Sequence, residues 1–350
     1  GVRLVGSEMC IRDRYRTMYR NNDFIYEAAF KLEELTKVSI QADSNSAGYD
    51  ALLTINNTPF IVESKSAVRT SNQGFILSQL EELKNNSSRP IILIAEYISK
   101  KAAQKLKERG INYIDVAGNA FIKHKDLTIF VEGQKNAKKD KTNQSRAFQE
   151  TGLKIIFHLL NKPENLQDSY RRISERADVS VGSVSNVMAE LEALNYLLKT
   201  SNKRVLKNKR ELLERWVVDF NATLRPRILR KRMRFIDQEQ LKNWRTIDLH
   251  SENGSILWGG EPGGALYTDN LRPEQFTLFT DLELSQVAKT LRLIPSETGS
   301  VEILQKFWKD SNANNQAAPP LLVYADLINS GYGRNIETAK KILENELHYI

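Results

Sequence analysis

The stretch from Glu150 to Leu206 constrains the fold most, because three helical apolar periodicities follow one another and then give way to two short apolar runs. Glu150–Leu160 repeats Leu153, Ile156, Leu159 and Leu160 on one face. Asp168–Ala177 opens on two N-cap types, Asp168 and Ser169, and turns Tyr170, Ile173 and Ala177 inward. Asp178-Val179-Ser180 forms a turn in which Ser180 can cap the next helix, Val181–Leu194. That helix is expected to bury Val181, Val184, Val187, Met188, Leu191 and Leu194, with Gly182, Ser183, Ser185 and Asn186 on the opposite face. Tyr196–Lys199 and Arg204–Leu206 then flank Thr200-Ser201-Asn202-Lys203 as a hairpin. The order helix, helix, turn, helix, hairpin predicts a winged helix-turn-helix over 150–206. Small polar side chains on its third helix suit close approach to major-groove edges, so double-stranded DNA is the expected ligand. The expected contacts are Ser180, Ser183, Ser185 and Asn186, with Lys199, Lys203 and Arg204 of the wing on the phosphate backbone.

Charge points the same way. Between Lys199 and Arg234 stand thirteen Lys/Arg residues against Glu211, Glu214 and Asp219, a local excess of ten in a chain whose formal charge is +8. Beside a helix-turn-helix such a block is expected to contact phosphates; the alternative is a solvated helix face. Apolar runs such as Pro90–Ala95 are far shorter than the roughly 20 residues a bilayer span requires, so a cytoplasmic protein with no membrane partner is expected. Gly1–Arg14 lacks the apolar core of a signal peptide and resembles the translation of a sequencing adapter, so 1–15 is set aside as non-native. It holds the single cysteine, Cys10, which leaves the rest without disulfides or cysteine zinc sites. His124, His158, His250 and His348 are scattered, without ligand spacing.

Residues 16–135 alternate helical and β-rich runs, predicting a mixed sheet covered by helices. Asn22–Leu35 is helical, with Phe24, Ala28, Phe30, Leu32 and Leu35 as its apolar set, and Tyr49–Ile55 and Pro59–Val62 form a hairpin about Asn56-Asn57-Thr58. Asp50 opens one strand and Glu63-Ser64-Lys65 closes the next, which brings two carboxylates and an ammonium to one sheet edge. Asp50 and Glu63 are candidate Mg²⁺ ligands, Lys65 a candidate for positioning water or phosphate, and Glu33, Glu34 and Gln79 candidates to complete the site. The alternative is a surface ion pair on an ordinary hairpin. From about Asn22 to Val131 this pattern resembles the PD-(D/E)xK restriction-endonuclease-like superfamily, although Tyr49 rather than proline precedes Asp50. The resemblance implies a Mg²⁺-dependent endonuclease; as a regulator alone the chain needs no cofactor.

Lys135–Arg146 is polar and basic, and 136–149 is read as a linker. After the hairpin, 207–234 reads as a basic connector and 235–350 as an α+β domain. Here Trp258–Leu266 (WGGEPGGAL) lacks the Lys-Ser/Thr of a phosphate loop, so its glycines are expected in tight turns between packed elements. It is followed by Leu271-Arg272-Pro273, by Pro319–Leu327 (PPLLVYADL), and by Gly331-Tyr332-Gly333-Arg334-Asn335. Tyr170–Leu197 resembles the helix-turn-helix of bacterial transcriptional regulators. Together with these two motifs, 150–350 resembles the AbiEi-type antitoxins of type IV toxin–antitoxin systems. That resemblance implies a repressor of its own operon that antagonises a nucleotidyltransferase toxin. The predicted architecture is therefore a restriction-endonuclease-like α/β domain, a central winged helix and a C-terminal α+β domain.

Overall fold

The computed structural model describes residues 23–43, 49–69, 73–135, 145–251, 253–309 and 316–350. The segment 1–15 with Cys10 and most of the expected linker lie outside the described residues. The chain divides into two compact units, 1–141 and 142–350.

In the first unit, Ile25, Ala28, Ala29 and Leu32 recur at helical spacing and form the buried stripe of α1 (Asp23–Thr36). Phe30 and Leu35, expected inward, stand on the exposed side. Strands β1 (Ile40–Asp43), β2 (Ala51–Ile55) and β3 (Thr58–Val68) pair antiparallel. Asn56 and Asn57, with φ of 43° and 64°, make the β2–β3 turn, a conformation asparagine tolerates well. After α2 (Gln73–Asn85), β4 (Ile91–Ile98) joins parallel to β3; after α3 (Lys100–Glu108), β5 (Asn112–Asp115) joins parallel to β4. Antiparallel β6 (Ala120–His124) and β7 (Leu127–Val131) complete a seven-stranded sheet whose order follows the chain. The β4 run Ile91–Ala95 is continuously apolar because both its faces are covered. On one side Ile92 and Ile94 pack with Ile25 and Leu32 of α1; on the other Leu93 and Ala95 pack with Leu80 of α2 and Leu106 of α3.

The second unit begins with α4 (Glu150–Asn161), α5 (Tyr170–Ala177) and α6 (Val181–Ala193), followed by a two-stranded hairpin, β8 (Leu197–Lys199) and β9 (Arg204–Leu206). The basic stretch after the hairpin forms α7 (Lys209–Asp219), a π-turn (Phe220–Leu224), α8 (Arg225–Ile228) and β10 (Leu229–Phe235). There follow α9 (Gln238–Lys242), β11 (Ile256–Gly259), α10 (Gly260–Thr268), β12 (Phe276–Thr280), α11 (Leu284–Thr290), β13 (Leu293–Pro295), β14 (Val301–Gln305), α12 (Pro320–Ser330) and α13 (Gly333–Asn345). The sheet order is β11-β12-β14-β10-β13, so β10 is an inner strand. Its basic residues hid that role, since only Met233 and Phe235 of the strand are buried.

The glycine-rich run is the start of α10, not a turn. A Cβ on Gly263 would lie 2.7 Å from Val323 Cγ2 and 2.8 Å from the Trp258 carbonyl, so its absence lets α10 pack closely on α12. A second apolar centre joins α4 to the rest of the unit. Phe157 of α4 packs on Trp216 and Phe220 lies against Trp216, with ring centroids 6.1 and 4.8 Å apart, and Phe307 and Trp308 close the cluster at 5.1 and 5.7 Å from Phe157. Trp216 Nε1 donates to the Leu153 carbonyl at 2.9 Å, which satisfies its polar edge inside the core.

Candidate nucleic-acid interface

Two serine caps set the helix pair. Ser169 Oγ accepts from Arg172 N–H at 3.2 Å at the start of α5, and Ser180 Oγ accepts from Ser183 N–H at 3.1 Å at the start of α6. Between them Asp178 adopts a left-handed conformation (φ 54°), which turns the chain sharply from one helix into the next. Ile173 and Ala177 of α5 and Val184, Val187, Met188 and Leu191 of α6 are buried, as the spacing predicts. Val181 and Leu194 are not: both are exposed, because each lies at an end of α6 beyond the reach of its neighbours.

The outer face of α6 consequently presents Val181, Gly182, Ser185 and Asn186 to solvent. Ser180 and Ser183 contribute less freely, their hydroxyls lying 2.8 Å apart within the cap. Val181 adds an apolar contact that sequence reasoning placed in the core. Arg171 and Arg172, in the first turn of α5 and well exposed, were also missed. Two adjacent arginines, two and three residues after an N-cap serine, were the available signal.

The three hairpin cations have different settings. Lys199 lies 3.0 Å from Glu192, whose carboxylate holds the ammonium above the ordinary lysine range. Arg204 is built into the hairpin's anchorage. Its N–H donates to Gln167 Oε1 at 3.1 Å, its carbonyl accepts from Gln167 Nε2 at 2.7 Å, and its guanidinium donates to the Asp168 carbonyl at 2.5 Å over the Tyr170 ring. Lys203 sits exposed at the hairpin tip.

Many of the other cations of the basic stretch are paired with carboxylates. Arg210, Arg215, Arg227 and Arg230 pair with Glu214, Asp219, Glu150 and Glu283. Arg225 is only partly exposed: its Nε donates to Asp326 at 2.7 Å and its Nη2 to Glu302 at 2.7 Å, and Arg232 also binds Glu302. Burial opposes the Arg225 cation, but Asp326 and Glu302 outweigh it and raise its pKa. The acidic partners come mostly from outside the stretch, which is why a local charge count missed them.

Farther along, the two C-terminal motifs meet through one carboxylate. Glu261 of α10, 4% exposed, accepts the N–H groups of Glu274 and Gln275 at 2.7 and 3.1 Å, Asn335 Nδ2 at 2.9 Å and Arg334 Nη2 at 3.2 Å. Arg334 also reaches Glu274 at 2.6 Å. Residues 204–348 match the family model described as transcriptional regulator, AbiEi antitoxin, type IV TA system. This AbiEi-like region contains both motifs, the second hairpin strand and the whole five-stranded sheet. No curated protein and no solved structure matches the chain significantly.

Outside the AbiEi-like region, the first unit places the other predicted set around the β2–β3 ladder. Ala51 pairs with Val62, which brings Asp50 beside Glu63. Asp50 Oδ2 accepts both the N–H and the hydroxyl of Ser64 at 2.7 Å, and Lys65 Nζ lies 2.9 Å from Glu63 Oε1. Glu33 accepts Ile40 N–H at 3.4 Å and Glu34 pairs with Lys31 at 2.7 Å. Gln79 Oε1 is buried without a hydrogen-bond partner among the described residues. Among those residues no three His, Cys, Asp or Glu side chains gather as a metal-holding group. Nor is any helix among them long and apolar enough to cross a membrane.

Proposed function

We propose that this chain is a DNA-binding transcriptional regulator that represses its own operon as the antitoxin of a type IV toxin–antitoxin system. The observation that carries the reading is the outer face of α6, where Val181, Gly182, Ser185 and Asn186 stand exposed in a unit that also carries an exposed lysine, Lys203, on its hairpin. A helix laid in the major groove needs short side chains that allow close approach, an amide to read a base edge and an apolar group to meet a thymine methyl. Asn186 takes the amide role and Val181 the apolar one. Lys203, Arg171 and Arg172 are the phosphate contacts in this reading, while Lys199 and Arg204 chiefly fix the wing. In this reading 150–206 is a winged helix-turn-helix, and the AbiEi-like match supports a cytoplasmic regulator whose toxin partner is a nucleotidyltransferase.

The decisive experiment is a mobility-shift titration of the full chain with duplex from upstream of its own gene, against random duplex of equal length. Tight, salt-sensitive preference for the upstream duplex is expected; equal affinity for both would falsify sequence-specific repression. An endonuclease reading is not adopted, since Asp50 is engaged by Ser64 and Glu63 by Lys65.

A further inference from the structure

From Val181 to Ala189, α6 leaves Val181, Gly182, Ser185, Asn186 and Ala189 exposed, a stripe at helical spacing with no ionisable group on it. Gly182 marks this stripe as a surface of approach. A Cβ there would meet nothing nearer than Ser180 Oγ at 4.0 Å, and its backbone is helical. Neither packing nor conformation therefore asks for glycine at a position where alanine makes the better helix. What the missing side chain provides is room for another surface to reach the backbone. The polar groups along α6 divide into engaged and open. The Ser180 and Ser183 hydroxyls close on each other at 2.8 Å, Glu190 accepts the Ala147 N–H at 3.0 Å, and Glu192 holds Lys199 at 3.0 Å. The Ser185 hydroxyl and the Asn186 amide enter no hydrogen bond among the described residues. Val181–Ala193 contains no Arg, Lys, His or Gln.

We propose that α6 selects A·T base pairs, so that the duplex this chain recognises carries an A·T core beneath the stripe; this rests on the DNA-binding reading above. The stripe is about 12 Å long, which sets the core at about three or four base pairs. In the major groove guanine offers two acceptors, O6 and N7, and is matched by arginine or lysine, neither of which α6 carries. Cytosine offers an N4 amino donor that calls for a carboxylate, and both carboxylates of the helix are engaged. Adenine offers an acceptor and a donor side by side, N7 and N6. One asparagine amide complements that pair, with Asn186 Nδ2 donating to N7 and Oδ1 accepting from N6. Thymine adds its C5-methyl, for which Val181 and Ala189 are the apolar contacts on the stripe. Ser185 both donates and accepts, so it serves either pair and selects neither.

The test is selection of duplexes from a randomised library by the full chain, followed by affinity measurements on the selected site with single base analogues. Enrichment of a site with an A·T core is expected. At one adenine of that core 7-deazaadenine, which removes only the N7 acceptor, should weaken binding about fivefold or more. At one thymine uracil, which removes only the methyl, should weaken it about fourfold. Neither analogue alters the minor-groove edge, so a preference arising from groove width would survive both. Asn186→Ala should abolish the response to 7-deazaadenine and Val181→Ser the response to uracil. Both residues are exposed, thermal melting checks that each variant is folded, and either variant keeps the test open if the other is not. A G·C core, an A·T core indifferent to both analogues, or a folded Asn186→Ala variant that still responds to 7-deazaadenine overturns the inference and leaves sequence-specific binding in place. No enrichment at all overturns the DNA-binding reading itself, and this inference with it.

Discussion

Lys203 and Arg225 come from the same basic stretch and have opposite settings. Lys203 is exposed at the tip of a hairpin, whereas Arg225 is half-buried and clamped between Asp326 and Glu302. A run of positive charge is thus not a surface: where each cation goes is decided by which carboxylates the fold brings to it. The outer face of α6 around Val181, Gly182, Ser185 and Asn186, with no charge to advertise it, is the part left exposed.

The largest test of this contrast is Arg225→Ala. It strands Asp326, while Glu302 keeps Arg232, and should cost about 3–5 kcal/mol in urea unfolding, because one buried charge is left without its partner. The residual folded protein should still prefer its operator. A cost below about 1 kcal/mol would mean that Arg225 is as dispensable as an exposed lysine. Next, Asn186→Ala should reduce discrimination between operator and random duplex by about 1–3 kcal/mol while leaving stability unchanged. Lys203→Ala should weaken binding to every sequence and lower the slope of log affinity against log salt by about one, whereas Arg230→Ala should leave that slope alone. If the two variants behave alike, the division between surface and internal cations is wrong.

The smallest effect concerns Asp178, whose carboxyl the Lys309 ammonium holds below the ordinary aspartate range. With the folded pKa depressed, this pair contributes stability above the unfolded aspartate pKa of about 3.9 and loses it as pH falls through the lower folded value. Lys309→Ala should return the Asp178 titration toward the ordinary range in carbon-detected NMR. An unchanged titration would show that the pair does not persist in solution.

Local pattern made some of this legible and long-range pairing hid the rest. The α5–turn–α6 unit could be read because its caps and apolar spacing are short-range features: Ser169, Ser180, Ile173 and Val184 all act within a few residues of themselves. The strand β10 could not, because Leu229–Phe235 is mostly cationic and its partners lie far along the chain, Ile303 and Glu302 on one side and Ile294 on the other. Val181 was misplaced for a related reason. Periodicity says which residues share a stripe, but whether the stripe is covered at a helix end depends on neighbours that spacing does not reveal. In the first unit the Asp50–Glu63–Lys65 juxtaposition followed directly from hairpin register, while the capture of Asp50 by Ser64 needed coordinates.

The aromatic seam through Phe157 bears on how the reading module can be handled. Leu153 and Phe157 belong to its first helix, yet Trp216, Phe220, Phe307 and Trp308, all beyond the hairpin, complete their packing. A fragment cut after Leu206 would therefore carry half of a core with its greasy side open to water, and it should aggregate instead of folding as an autonomous miniature repressor. Swapping this module into another protein would require carrying the seam along with it.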